Sequence, residues 1–167
     1  EEEAIGFLQD VLEGLGPIHD AGVLHRDIDP QNIYLVDEGT PSANGSPNGN
    51  GKRAILIDFG AAREAIGQKS QSLDVILKPG YAPFEQYQPS GNHGPWTDVY
   101  ACAATLYKCL TGLKPPEATE RIDEDSLADV REIREEISIE TSLAVKKGLA
   151  VRPEQRPASA REFAELL

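Results

Sequence analysis

The chain has 167 residues, 40% of them hydrophobic and 26% charged, an ordinary balance that supports one sizeable buried core and therefore one domain or one lobe. Its formal net charge of −12 argues against a nucleic-acid or anionic-membrane partner, which needs lysine and arginine to displace counterions, and by long-range steering it favours a basic protein partner. No run approaches the roughly 18 consecutive apolar residues of a membrane span and the first residues do not read as a signal peptide, while the lack of methionine, even at position 1, reads as a piece of a longer protein whose other parts could hold an anchor or sensor.

In chain order, apolar side chains at Ile5, Leu8, Leu12 and Leu15, widened by Phe7, Val11 and Ile18, predict a helix from about Glu3 to Ala21. Glu1, Glu2 and Glu3 suit the positive end of its dipole, and Gly22 fits a left-handed cap. Val23-Leu24 then forms a short extended piece. Ile33-Tyr34-Leu35-Val36 and Ala54-Ile55-Leu56-Ile57 predict two short strands. Between them residues 39–51 read GTPSANGSPNGNG, a composition that buries no core and predicts a long surface loop. From Asp58 to Glu85 periodicity is lost. Thr97 is placed to N-cap a helix running from about Asp98 to Leu110, with Gly112 and Pro115-Pro116 beyond its end. Apolar residues cover most of the circumference of this helix, which predicts burial all round. Weaker helical patterns follow at Asp125 to Ile133, Ile139 to Ala150 and Ser159 to Leu167, the last two joined by the R-P-E-Q-R-P turn that contains Arg156. Cys102 and Cys109 lie seven apart on the predicted buried helix, about 10 Å along its axis, so they read as two buried free thiols that suit a reducing compartment.

The chemistry-bearing residues cluster in His25-Arg26-Asp27-Ile28-Asp29-Pro30-Gln31-Asn32 and in Asp58-Phe59-Gly60. An aspartate followed five positions later by an asparagine, with a second aspartate after an apolar run, is a donor set suited to phosphoryl transfer. One carboxylate can orient a hydroxyl nucleophile, and two hard oxygens can hold magnesium on a nucleotide.

At these residues the chain resembles the C-terminal, large lobe of a protein kinase, of the bacterial serine/threonine type. The resemblance covers nearly the whole chain and implies a mainly α (α+β) lobe with a short β-hairpin beside the catalytic loop and a buried central helix. Its parts are the catalytic loop 25–32, a low-complexity insertion 39–51, an activation segment 58–85 and a helical subdomain 96–167. Only 24 residues precede His25, so the glycine-rich loop, the strand lysine and the rest of the small N-terminal lobe are expected from sequence outside this chain. The resemblance implies ATP and Mg2+ as cofactors and a protein hydroxyl as acceptor. It also implies Asp27 as the residue that orients that hydroxyl, Asn32 and Asp58 as the magnesium ligands, and Asp29, Asn32, Tyr34 and Asp58 as the nucleotide-facing set. His25 and Phe59 become packing residues. Glu85 and Arg156 match the buried pair that closes the activation segment, with Phe84 in place of the usual proline, and Asp98 matches the residue that caps the catalytic-loop backbone. Arg26 could clamp a phosphorylated Ser70 or Ser72, which Arg63 and Lys69 flank.

Two positions depart from the family pattern. The slot two residues after the catalytic aspartate, a lysine that meets the γ-phosphate in serine/threonine kinases, holds Asp29. The threonine slot seven residues before Glu85 holds Lys78. A carboxylate about 4 Å from a phosphate charge repels it by roughly 4 kcal/mol at an effective dielectric of 20, over two decades of rate. The expectation is that the two slots have exchanged polarity, with Lys78 paired to Asp29 and serving the γ-phosphate as a third catalytic residue. The competing functional class is a pseudokinase or interaction module that keeps the fold and transfers nothing. Phosphotransfer to a small molecule is disfavoured by the peptide-platform residues Glu85 and Arg156. The localisation implied is cytoplasmic, with anchoring of the parent protein left open.

Overall fold

The computed structural model describes residues 1–37, 51–58 and 77–167. Helix α1 (Glu2–Asp20) leads into the two-stranded antiparallel sheet β1 (Ile33–Asp37) and β2 (Lys52–Leu56), with Ile33 paired to Leu56 and Asp37 to Lys52. Helices α2 (Pro95–Thr111), α3 (Val130–Ile133), α4 (Ile139–Gly148) and α5 (Ala160–Ala164) follow. Single turns of 3-10 helix stand at Pro30–Asn32, Phe84–Tyr87 and Pro153–Gln155.

The apolar stripe of α1 buries Leu8, Val11, Leu12 and Leu15 against the core, as its spacing requires. Pro17 falls in the last turn, and the helix closes by a Schellman arrangement. The Gly22 amide bonds to the His19 carbonyl and the Val23 amide to that of Ile18, with Gly22 at φ +74°. That sharp stop delivers Val23 and Leu24 as extended chain and brings His25 back across the end of α2.

Helix α2 is the pillar of the lobe. Val99, Tyr100, Cys102, Ala103 and Ala104 are all fully buried, and α1, α4, α5 and α3 pack around them. It begins three residues earlier than the sequence suggested. Pro95 occupies the first helical position, and Thr97 sits inside the first turn, its hydroxyl accepting from the Gly94 amide at 3.2 Å. Cys102 is buried as expected, and burial pushes its thiol well above the usual cysteine range. Cys109, near the far end of α2, is exposed, so the expectation of two buried thiols holds for one only.

The region after α2 departs further. The helix predicted over Asp125 to Ile133 is confined to Val130–Ile133, because both acidic residues at its start are engaged otherwise. Asp129 is the N-cap, accepting from the Arg131 amide, and Asp125 is gripped by Arg121 at 2.7 and 3.0 Å. Helix α4 is N-capped by Ser138 and stops at Gly148, and α5 is N-capped by Ser159 and spans only Ala160–Ala164, both shorter than their patterns. Strand β2 starts two residues earlier than expected, at Lys52, and ends one earlier, at Leu56, while β1 runs one residue further, to Asp37. The sheet leaves Tyr34, Leu35, Val36 and Ile55 exposed, and its one fully buried side chain is Ala54, whose amide donates to the buried Asp10 of α1 at 2.9 Å. Most of the low-complexity stretch 39–51 lies outside the described residues. Among those described, no helix is long and apolar enough to cross a membrane.

Candidate active site

The loop from His25 to Asn32 is hung from the first turn of α2 by one buried carboxylate. Asp98 accepts from the amides of His25 and Arg26, each at 2.8 Å, and from Nε2 of His19 at the end of α1, also at 2.8 Å. Three donors on two elements converge on a side chain at the positive end of a helix, which is where a buried carboxylate is best tolerated. The clamp holds Arg26 at φ +66°, a conformation a bulky residue adopts only when its surroundings enforce it. His25 is fully buried, its ring bonded to the Ile57 carbonyl, and burial outweighs the nearby carboxylates to push its pKa below the usual histidine value. A neutral packed imidazole fits the scaffold role inferred from the sequence. His19 was not anticipated, since a histidine near a helix end carries no local signal of a partner 79 residues away.

Asp27 and Asn32 face each other across the turn. Asn32 Nδ2 donates to the Asp27 carbonyl at 2.7 Å and to Asp27 Oδ2 at 3.0 Å, which turns the amide oxygen away from that carboxylate. The Pro30–Asn32 turn is capped by Asp29, whose Oδ1 accepts from the Gln31 amide at 2.6 Å. Ile57 crosses behind, its amide on the Asn32 carbonyl at 2.8 Å, and places Asp58 next to the loop at φ +78°. Phe59 and Gly60 lie outside the described residues, as do Arg63, Lys69, Ser70 and Ser72. Tyr34 is exposed on β1, one residue beyond Ile33.

Lys78 enters from the opposite side. Its Nζ lies 3.0 Å from Asp27 Oδ1 and is also paired with Asp29 Oδ2. Asp29 is the buried member, with its side chain 3% exposed, while Asp27 and Lys78 are about one-third open. Burial alone would lower the lysine, but its hydrogen bonds to Asp29 and Asp27 prevail and raise its pKa above the usual value. A cation shared by two carboxylates favours the charged form of both. A small cleft bounded by Asp27, Lys78, Leu77, Tyr81, Gln86 and Arg26 opens at this point.

Beneath the cleft, Arg156 and Glu85 form a buried two-point pair at 2.7 and 3.1 Å, and Thr97 donates its hydroxyl to Glu85 at 3.0 Å. Arg156 also donates to the carbonyls of Ala150, Val151 and Trp96, and its guanidinium stacks 4.9 Å over the ring of Tyr100. On the edge of that ring, Arg121 donates to the Tyr100 hydroxyl at 3.1 Å and to the Leu149 carbonyl at 2.8 Å. This second buried arginine was also not anticipated. Its nearest signal is Asp125 four residues on, which the helical reading of that stretch obscured.

The model of the protein kinase domain matches residues 1–166. The chain belongs to the protein kinase family. Among its relatives, the serine/threonine-protein kinase PknA of Nostoc sp. is 32% identical over 172 residues, covering 96% of this chain and 28% of that one. PkaB of Streptomyces coelicolor is 33% identical over 115 residues, 68% of this chain and 26% of the relative. Of solved structures, the apo form of PpkA-294 superposes with a TM-score of 0.75 at 36% identity, covering 99% of this chain and 54% of that one. The kinase domain of PknI from Mycobacterium tuberculosis shares the fold, with a TM-score of 0.63 at 23% identity. The kinase lobe described here thus spans about half of the solved chains and about a quarter of the curated relatives that it matches.

Proposed function

We propose that this chain is the large lobe of an ATP- and magnesium-dependent protein serine/threonine kinase, completed by a small lobe outside the present sequence. The observation that supports this most strongly is Lys78 held between Asp27 and Asp29. In an inactive lobe the ammonium would only offset the buried Asp29. A catalytic one with Asp29 in a phosphate-facing slot cannot do without it.

In this reading Asp27 accepts a hydrogen bond from the hydroxyl of the protein substrate in the cleft beside Lys78 and takes up its proton late in the transfer. Asn32, its amide nitrogen committed to Asp27, would offer its oxygen to a magnesium ion, and Asp58 would be the second hard ligand. Magnesium-bound ATP supplies the phosphoryl group when bound. Tyr34 and the apolar face of β1 and β2 form the floor of the nucleotide site and meet the small lobe. Lys78 offsets the Asp29 charge and balances the negative charge of the transferred group. Glu85 and Arg156 hold the peptide platform. The acidic balance of the chain steers a basic substrate towards it, and the hydroxyl preference follows the serine/threonine kinases among the relatives.

The test is phosphate transfer from radiolabelled ATP to a hydroxyl peptide by the intact protein, beside Asp27→Asn. Transfer by the wild type that the substitution abolishes is the expected outcome. Nucleotide binding without transfer by the wild type would instead establish the pseudokinase reading.

A further inference from the structure

A lysine on the catalytic loop would be indexed by Asp98, which already fixes the two residues preceding Asp27. Lys78 is not on that loop, so something else must set its position. The structure shows a turn and a seat. The Lys78 carbonyl accepts from the amides of Tyr81 and Ala82, each at 3.0 Å, closing a tight turn with Pro79 second and Gly80 third. Gly80 is at φ +88°, the left-handed conformation that such a Pro-Gly turn demands. It is also buried, and a Cβ built on it would lie 2.6 Å from the Pro115 carbonyl oxygen and 2.8 Å from Cγ of Lys114. The turn is therefore pressed against the backbone of the loop that leaves α2.

That loop is itself fixed to the helix. Gly112 caps α2 in the left-handed conformation, its amide on the Lys108 carbonyl at 2.9 Å. Thr111 donates its hydroxyl to the Tyr107 carbonyl at 2.7 Å and accepts from the Leu113 amide at 3.0 Å. The two ends of one rigid helix thus carry the two halves of the site. The first turn holds Asp27 through Asp98, and the loop beyond the last turn holds the turn that carries Lys78.

We infer that Gly80 is a positioning residue, whose close seat on the Pro115 carbonyl and the Lys114 side chain sets where the Lys78 ammonium stands between Asp27 and Asp29. The catalytic consequence rests on the role of Lys78 proposed above, whereas the positional one does not.

The experiment uses the intact protein and competitive acetylation of lysine amines, read by mass spectrometry, with Lys147 on α4 as the internal reference. Gly80→Ala is expected to raise the labelling rate of Lys78 several-fold against Lys147. It should also lower kcat for peptide phosphorylation by about 100-fold, the usual cost of misplacing a catalytic group by an ångström, with little change in the KM for ATP. As a control against a folding defect in Gly80→Ala, Gly112→Ala is run beside it. That substitution strains the seat but leaves the turn untouched, and the same rise in Lys78 labelling is expected. Unchanged labelling of Lys78 in the folded variants overturns the inference. Raised labelling with undiminished kcat supports the positioning and refutes the role of Lys78 in transfer instead. Labelling decides the matter even if the wild type transfers no phosphate.

Discussion

Substitution of Arg156 by alanine isolates the energetic weight of the buried pair beneath the cleft. In the folded chain the Glu85 carboxylate is 3% exposed and has two partners, the Arg156 guanidinium and the Thr97 hydroxyl. Removing the arginine leaves a buried carboxylate served by one neutral hydroxyl, and it strips the carbonyls of Ala150, Val151 and Trp96 of a donor. Breaking a buried pair from one side costs about 3–5 kcal/mol. At about 2–4 °C per kcal/mol for a domain of this size, the lobe should melt roughly 6–20 °C lower. Arg156→Lys should recover little, because one ammonium cannot reach both carboxylate oxygens and three carbonyls at once. The assay is urea and thermal unfolding of the intact protein, followed by the fluorescence of Trp96, which adjoins the pair. A loss below about 1 kcal/mol for Arg156→Ala would show that Glu85 finds water or another donor, and the weight given to the buried pair would be wrong.

Three further outcomes follow from the same geometry. Asp98→Ala removes the acceptor for His19 and for the amides of His25 and Arg26, so it should abolish phosphate transfer, whereas His19→Ala should leave the two backbone bonds in place and weaken transfer far less; steady-state kinetics of both variants would reveal a reversed order. Arg121→Ala should loosen the segment between α2 and α3, seen as faster hydrogen exchange at Leu127 and Ala150, whose neighbours Asp125 and Leu149 lose their grip; exchange unchanged there contradicts the role given to Arg121. Stability should fall as pH drops below about 6.5, because His25 and His93, both held below the usual histidine value by burial, are protonated first in the unfolded chain. A second decline should begin below about pH 4, where Asp125 and Asp129, both lowered by hydrogen bonds from Arg121 and Ser142 respectively, take up protons in the unfolded chain first. Denaturation midpoints that stay level from pH 7 to 5 would contradict the first assignment.

The pairing of Asp29 with Lys78 was legible in the sequence because each stands in a slot of the wrong polarity, and the loop that holds Asp29 because its polar residues are compressed into eight consecutive positions. The pillar helix was legible for another reason, as burial on every side leaves its mark on every residue. Less was visible where a side chain has two possible uses. Thr97 has the hydroxyl of an N-cap, yet it sits in the first turn and spends its proton on Glu85, a partner 12 residues upstream. Asp125 reads as the start of a helix until Arg121 claims both of its oxygens. His19, Asp10 and Gly80 were not read as part of the site, since the groups they meet lie dozens of residues away and local patterning holds no trace of them. Cys109 followed the apolar pattern of α2 but lies on a face of its last turn that the core does not cover, whereas Leu110 beside it is buried.

The most direct trial of the exchanged charges is to restore the family arrangement in the intact protein. Asp29→Lys and Lys78→Thr are made singly and together, and the rate of phosphate transfer to a peptide is measured for each. Each single change should lower the rate by about 100-fold or more, since one places two ammonium groups together and the other leaves two carboxylates facing the transferred phosphate. The double variant should return to within about ten-fold of the wild type, the lysine having moved from one side of the cleft to the other. A double variant no faster than the slower single one, or a Lys78→Thr variant as fast as the wild type, would contradict the account.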